Sequence, residues 1–155
     1  AGRGEGLRPA FAAIGERLAE NTKRRFASST APDGAPWAPN SDTVLRALLH
    51  RGRGNFKKRD GRVSAKGQRV LAGKKPLIGG SKALSTTIAC QADATGVRIG
   101  SPLEYAAMQQ FGGTKAKFPH LWGDIPPRPF LGISAQDEAE ILEILRDALA
   151  DAGGA

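Results

Sequence analysis

The chain has 155 residues, a net charge of +8 and a hydrophobic fraction of 40%. This is the size of one ordinary domain, so we expect a single domain over residues 1–155. No apolar run approaches the roughly 18 residues that a membrane-spanning helix needs, which argues against a membrane partner.

The N-terminal third of the chain predicts two helices separated by a proline-rich turn. Apolar residues recur at helical spacing within residues 5–29, and we expect this helix to begin close to Leu7, because Pro9 is tolerated best in a first turn. Ser41 or Asp42 is suited to cap the second, shorter helix. The apolar residues of the two helices are Leu7, Phe11, Ile14, Leu18 and Phe26, then Val44, Leu45, Leu48 and Leu49.

The net positive charge of the chain lies in residues 51–75. This segment holds ten basic residues and one acid, for +9, whereas the rest of the chain sums to −1. Glycines are spaced through it without periodicity, so we predict a long mobile loop that becomes ordered only against a partner. Contact with nucleic-acid phosphates and docking on an acidic protein both remain open, with the protein favoured. The basic residues are Arg51, Arg53, Lys57, Lys58, Arg59, Arg62, Lys66, Arg69, Lys74 and Lys75.

A β-hairpin is predicted at about residues 83–101. Leu84, Thr86, Ile88 and Cys90 alternate with mostly small or polar residues, as in a half-buried strand, and a turn and a second alternating segment follow. The predicted fold class is therefore α+β. A small, mostly antiparallel sheet is flanked by N-terminal, central and C-terminal helices, and the domain carries a long basic loop.

A short helix is predicted over residues 103–111, and it ends at Gly112, because glycine favours helix C-termini. Tyr105, Met108 and Phe111 recur on it at helical spacing, and we expect them to be core residues. The parts of the chain that follow this helix are then better candidates for contacts with other subunits.

A loop at residues 113–125 and an extended segment at residues 126–133 follow the short helix. Three prolines make the segment extended and allow at most an edge strand. The loop carries apolar residues, which in a mobile loop usually make contacts with a binding partner. These are Phe118, Leu121 and Trp122.

Catalytic and metal-binding chemistry finds little support in the sequence. A nucleophile needs a base within hydrogen-bond reach, and a Cys90–His120 pair is the combination left open. The other histidine, His50, fits a helix end, where positive charge is favourable. The acidic residues after Ser134 fit the first turn of a capped C-terminal helix better than a metal site. We therefore predict no enzyme activity, no cofactor and no metal.

Short motifs follow one another in a recognisable order along the chain. They are Arg24-Arg25-Phe26, Asp33-Gly34 with Trp37-Ala38-Pro39, Lys75-Pro76-Leu77, Leu84-Ser85-Thr86-Thr87-Ile88, Tyr105-Ala106 with Phe111-Gly112, and Pro127-Arg128-Pro129-Phe130-Leu131-Gly132 before the last helix. In this order they resemble the phage virion morphogenesis or tail completion family, as found in Mu-like phages. The resemblance runs from about Leu7 to Leu149. It departs from the family at Ala83, where a basic residue is frequent, and nothing carries over to residues 113–124.

The resemblance implies a structural protein that completes the tail and joins it to the head at the neck of the virion. It implies assembly as a ring, with a hexamer favoured, and contacts with other neck and tail proteins. The expected location is the head–tail junction, with the host cytoplasm during assembly. Non-specific DNA binding through residues 51–75, either to genomic DNA in the lumen or as the main function, is the alternative.

The extended segment is a candidate for the subunit contact. Because proline fixes φ, Phe130 could enter a groove of a neighbour with little loss of entropy, and Arg128 could bind a carboxylate there. Packing of Phe130 and Leu131 on their own sheet is an equally supported alternative. The candidate interface residues are Pro127, Arg128, Pro129, Phe130, Phe118, Leu121 and Trp122.

Overall fold

The computed structural model of the protein describes residues 3–51, 56–79, 81–121 and 123–153. Helices and a two-stranded antiparallel sheet form within these residues, which confirms the predicted α+β class. Among the described helices, none has the length and apolar character that crossing a bilayer requires. The elements are α1 (Arg3–Ser28), α2 (Asp42–Arg51), α3 (Ala65–Ala72), α4 (Ala83–Thr86), β1 (Ala89–Ala92), β2 (Val97–Gly100), α5 (Ala106–Phe111) and α6 (Ala135–Gly153).

The fold is built around α1, which packs against both strands and against α6. Gly15 allows the close approach of the hairpin, because a Cβ atom there would lie 2.8 Å from Cγ2 of Val97 and 3.0 Å from Cβ of Cys90. The helix starts before the predicted Leu7, and Pro9 lies inside it. A proline this close to a helix start removes one intrahelical hydrogen bond, and the packed face of the long helix offsets that loss.

The predicted strand is wrong over its first half, because α4 forms there and β1 begins only at Ala89. Hydroxyl groups of this segment donate to carbonyls one turn back, as Thr87 Oγ1 does to Ala83 O at 2.8 Å, and such bonds compete with a strand ladder. Leu84 and Ile88 are both buried. Their spacing of four residues fits one helical turn as well as it fits alternate strand positions.

The prediction of an irregular loop through residues 51–75 is wrong for Ala65–Ala72, which form α3. Ser64 caps this helix, since its Oγ accepts the N–H of Gly67 at 3.1 Å. Gly67 is buried, and a Cβ atom there would lie 2.5 Å from the carbonyl oxygen of Phe56. The glycine that suggested a loop thus lets the helix pack on the preceding backbone. The mobility of this segment stays a prediction.

Residues 41–73, which we call the excursion, form a segment whose two ends lie next to each other where it joins the rest of the fold. Asn40 Nδ2 donates to the carbonyl of Lys74 at 3.0 Å, which joins the two ends. Ser41 caps α2 as predicted, since its Oγ accepts the N–H of Val44 at 3.4 Å. Helices α2 and α3 pack against each other, so the excursion has its own small helical structure.

The core centres on three aromatic rings at the C-terminal end of α1. The Phe26 and Trp37 ring centroids lie 5.4 Å apart with the rings at 75°, and the Phe26 and Phe130 centroids also lie 5.4 Å apart. Phe130 is 0% exposed. Leu84 and Ile88 belong to the same buried cluster, so α4 and the hairpin close over these rings.

The prediction that Tyr105, Met108 and Phe111 are core residues is wrong. Tyr105 is 48% exposed and Phe111 is 77% exposed, while Met108 is half-buried. Helix α5 instead buries Ala106. A six-residue helix that meets the core through one small side chain leaves its larger residues at the surface.

Candidate interaction surface

Residues 126–132, which we call the clasp, belong to no strand and pair with none among the described residues. Side chains supply most of its hydrogen bonds instead. Gln110 Oε1 accepts the N–H groups of Phe130 and Leu131, both at 2.9 Å, and its Nε2 donates to the Leu131 carbonyl at 2.9 Å. Trp37 Nε1 donates to the Pro129 carbonyl at 2.7 Å. The prolines explain this arrangement, because they cannot donate to a ladder.

Arg128 ties the clasp to the turn that follows α1. Its Nε donates to the Ala38 carbonyl and its Nη2 to the Pro39 carbonyl, both at 2.7 Å, while its backbone N–H donates to the Gln109 carbonyl at 2.8 Å. Burial lowers the pKa of the Arg128 guanidinium. The carbonyl oxygens that the guanidinium meets compensate for the water that it loses.

Arg25 and Asp137 form a buried ion pair that joins α1, the clasp and α6. Arg25 Nη1 also donates to the carbonyls of Phe130, at 3.1 Å, and Gly132, at 2.8 Å. Asp137 Oδ2 accepts the N–H of Ser134 at 2.7 Å, and Ser134 Oγ accepts the N–H of Asp137 at 3.1 Å, which is the predicted cap of α6. Burial alone would raise the pKa of Asp137, but hydrogen bonds from Ser134 and Asn21 and the charge of Arg25 together hold it below its ordinary value.

The lowered pKa of Asp137 predicts a loss of stability in acid. The unfolded carboxyl takes up a proton near pH 4, whereas the folded one stays charged to a lower pH, so the stabilisation is complete above about pH 5 and is lost as the pH falls through the folded pKa. In urea unfolding from about pH 7 to about pH 2, the gap in unfolding free energy between wild type and Asp137→Asn should narrow in acid. The exposed-site variant Asp147→Asn is the control. A gap for Asp137→Asn that stays constant into strong acid would contradict this role.

The predicted interface residues of the clasp take different places in the fold. Phe130 is buried in the core and Arg128 is held by backbone carbonyls, so packing within the chain describes these two residues. Pro129 is half-buried, and its carbonyl accepts the indole N–H of Trp37. Pro127 is exposed and remains a candidate for contact with another molecule.

The loop at residues 113–125 is closed at its base and exposes one large apolar side chain among its described residues. Gly113 and Ile125 exchange two backbone hydrogen bonds, at 2.8 and 2.9 Å. Phe118 is 37% exposed, with its ring 6.2 Å from that of His120. Leu121 is half-buried, and the predicted interface residue Trp122 lies outside the described residues. The loop therefore presents Phe118 from a fixed base, near the exposed α5.

Gly112, which joins α5 to this loop, is predicted to tolerate no side chain. Its φ is +71°, and a Cβ atom would lie 2.7 Å from the Ile125 carbonyl oxygen and 2.8 Å from the Pro127 nitrogen. We expect Gly112→Ala to lower the free energy of unfolding by about 1–3 kcal/mol, through backbone strain and this collision. Chemical denaturation would measure the change, with Gly79→Ala, at an open position, as the control. Equal effects of the two substitutions would refute the proposed strain.

Eight of the ten basic residues of the predicted contact segment divide into three groups. Lys74 Nζ contacts the Ile78 carbonyl and Lys75 Nζ contacts the Ala27 carbonyl, so these two ammonium groups serve the fold. Arg62 pairs with Asp60 at 2.6 Å, and Lys66 lies 5.6 Å over the Phe56 ring. The side chains of the third group, Lys57, Lys58, Arg59 and Arg69, are exposed. Arg51 ends α2, and Arg53 lies outside the described residues.

Arg25, Gln110 and Trp37, which hold the clasp, were not predicted to have this role. A signal for Arg25 was present, because it lies seven residues after Leu18 and so falls on the apolar stripe of α1, where a charge needs a buried partner. Gln110 gave no such signal, since a single amide in a short helix fits a solvent-facing position equally well.

The residues tested for catalysis lie apart from one another. Cys90 is half-buried in β1 against α1, and His120 lies in the exposed loop. His50 Nε2 lies 3.4 Å from Lys57 Nζ near the end of α2. Within the described ranges, no group of three or more His, Cys, Asp or Glu side chains could hold a metal ion.

Comparison with known proteins gives one family and two relatives. The model of the phage virion morphogenesis family matches residues 2–150. The chain is similar to putative capsid assembly protein G of Escherichia phage Mu, at 44% identity over 48 residues, 31% of this chain and 30% of that protein. It is also similar to Mu-like prophage FluMu G protein 2 of Haemophilus influenzae, at 45% identity over 49 residues, 32% of this chain and 34% of that protein. The matches thus span about a third of these curated relatives, and no solved structure matches.

Proposed function

The chain belongs to the phage virion morphogenesis family, and on that premise we propose that it completes the tail and joins it to the head at the neck of the virion. Its role in building the phage particle follows from the family. The neck, the ring of identical subunits and the absence of catalysis are the proposal. One relative is named as a putative capsid assembly protein, so a step in head assembly is the nearest competing role.

The observation that carries the proposal is the family match over nearly the whole chain. Exposed apolar side chains support a role in assembly, because large apolar groups at a surface are typical of protein contacts. They occur on α5 and the following loop, and again on the segment before α6 and on α6 itself. The residues concerned are Tyr105, Phe111, Phe118, Ile133, Leu142 and Leu149.

A ring needs two different surfaces on each subunit. When one surface of a copy binds a different surface of the next, the contact repeats around an axis and can close. We propose that the exposed side chains on α5 and its loop form one of these surfaces and that those on and before α6 form the other. A hexamer remains our favoured stoichiometry.

Deletion of the gene from its phage, followed by electron microscopy of the particles, tests the proposed step. We expect filled heads and free tails that do not join, and complementation with the wild-type gene should restore joined virions. Particles that join normally without the protein would refute the proposal. Loss of intact heads would instead place the protein in head assembly.

A further inference from the structure

Two oppositely charged surfaces of this chain are formed by residues that lie far apart in the sequence, and no ion pair of the described residues joins them. The first, which we call the basic tip, is formed by residues 57–62. The second, which we call the acidic stripe, is formed by Glu143, Asp147 and Asp151 of α6. All three carboxylates are exposed, and the ion pairs of the described residues use none of them, nor Lys58 or Arg59 of the tip.

The basic tip is a folded turn rather than a loose chain. Lys58 N–H donates to the Arg62 carbonyl at 2.7 Å, and Gly61 N–H donates to the Lys58 carbonyl at 2.9 Å. Below the tip, Ser64 N–H donates to the Phe56 carbonyl at 2.7 Å, which fixes it to the start of α3. A tip held in this way presents its charges with little further loss of entropy on binding.

The charge of the tip is strongly positive despite its one acid. Asp60 is neutralised locally, because Arg62 Nε donates to its Oδ2 at 2.7 Å, and hydrogen bonds from Arg62 lower the pKa of Asp60. Lys57, Lys58 and Arg59 remain as three consecutive cations at the surface. These positive charges repel one another, and a negatively charged partner would stabilise them.

The acidic stripe places like charges next to one another on its own helix, where Arg146 is the one basic residue of α6. Glu143, Asp147 and Asp151 recur every four residues, so their like charges lie next to each other on one face. Asp151 also lies in the last turn, which holds no basic residue, and a negative charge there opposes the helix dipole. A cation that approaches this face from outside relieves both effects.

We propose that the basic tip of one copy docks on the acidic stripe of the next copy. The inference rests on the proposed ring assembly and supplies one of its contacts. Charge complementarity between two exposed surfaces of the same chain is the argument for this occupant. Because the tip and the stripe are different surfaces, their contact can repeat head-to-tail from copy to copy, as a closed ring requires.

DNA is the competing occupant of the tip, since phosphates also carry negative charge. The tip offers few groups for reading or stacking on bases, because the nearby ring of Phe56 is half-buried and lies under Lys66. The DNA interpretation also gives the acidic stripe no role. A test that reverses the charge of each surface separately therefore distinguishes the two occupants.

The test compares four versions of the full chain by sedimentation velocity, at about 50 mM and about 500 mM salt. These are wild type, Lys58→Glu with Arg59→Glu, Glu143→Lys with Asp147→Lys, and the four substitutions combined. We expect wild type to assemble at low salt. Each reversed pair should raise the protein concentration needed for assembly at least about tenfold. The combined variant should recover most of the lost assembly. All four positions are exposed, and circular dichroism would verify the fold of each version.

The outcomes separate the two occupants. Recovery of assembly in the combined variant supports the contact between copies, because only restored complementarity explains it. Assembly that is insensitive to the α6 reversal, or a wild-type chain that stays monomeric at low salt, overturns the contact. The opposite outcome is that wild type binds duplex DNA, that tip reversal abolishes this binding, and that the combined variant does not recover it. If assembly is unchanged at the same time, the tip is a DNA site. The proposed neck function is tested separately by the joining of heads and tails in the deletion phage.

Discussion

Replacing Asp137 with alanine is expected to lower the free energy of unfolding by about 3–5 kcal/mol, the usual effect of leaving one partner of a buried ion pair alone. Asp137 is 1% exposed and pairs with Arg25. Its removal leaves a buried guanidinium uncompensated. It also removes an acceptor for Asn21 Nδ2, at 2.7 Å, and for the N–H of Ser134, at 2.7 Å, so the carboxylate half of the α6 cap is lost as well.

Asp147→Ala is the matched control for this substitution. It removes a carboxylate from the exposed face of the same helix, and its effect should stay within about 0.5 kcal/mol. Urea unfolding followed by circular dichroism would measure both variants. If Asp137→Ala were as stable as Asp147→Ala, the ion pair could not be what fastens α6 and the clasp to α1.

Phe130→Ala is expected to cost about 3–5 kcal/mol, as is usual for an aromatic side chain removed from a packed core. Phe130 is fully buried, and its ring packs at a tilt against that of Phe26, which in turn packs edge-on against Trp37. The cavity that alanine leaves would lie where α1, the turn after it and the clasp meet. Thermal and urea unfolding would show the loss directly.

This substitution also decides between the two original interpretations of Phe130. An anchor in the groove of a neighbour would leave the stability of the single chain unchanged and weaken assembly alone. Phe111→Ala provides the comparison, since that ring is 77% exposed and its removal should change stability by less than about 0.5 kcal/mol. A stable Phe130→Ala chain that fails to assemble would restore the interface interpretation.

Residues whose patterns act locally were predictable from the sequence. Helix α1 follows its apolar stripe, and Ser41 and Ser134 cap the helices predicted for them. The turn and the second strand of the hairpin also follow from local patterns. In each case the deciding interactions lie within a few residues of one another, where periodicity and capping preferences operate.

The partners of residues whose role depends on distant contacts could not be assigned from the sequence. Arg128 and Phe130 carry a sequence pattern that suits an exposed, stiffened segment, yet their partners lie some 90 residues away in the turn after α1, or on α1 itself. Gly67 looked like a loop residue, and only its packing on Phe56 explains its place in a helix. A single sequence does not indicate which distant backbone groups a segment such as the clasp will contact.

The closure of the excursion at Asn40 and Lys74 has an evolutionary consequence. Because the chain departs and returns at hydrogen-bonding distance, the excursion can lengthen, shorten or change its charge without altering the path of the surrounding backbone. The clasp, by contrast, is held at residues 129–131 by side chains from three separate parts of the fold. Changes in the length or charge of the excursion are therefore expected to leave the clasp and the surrounding body unaltered.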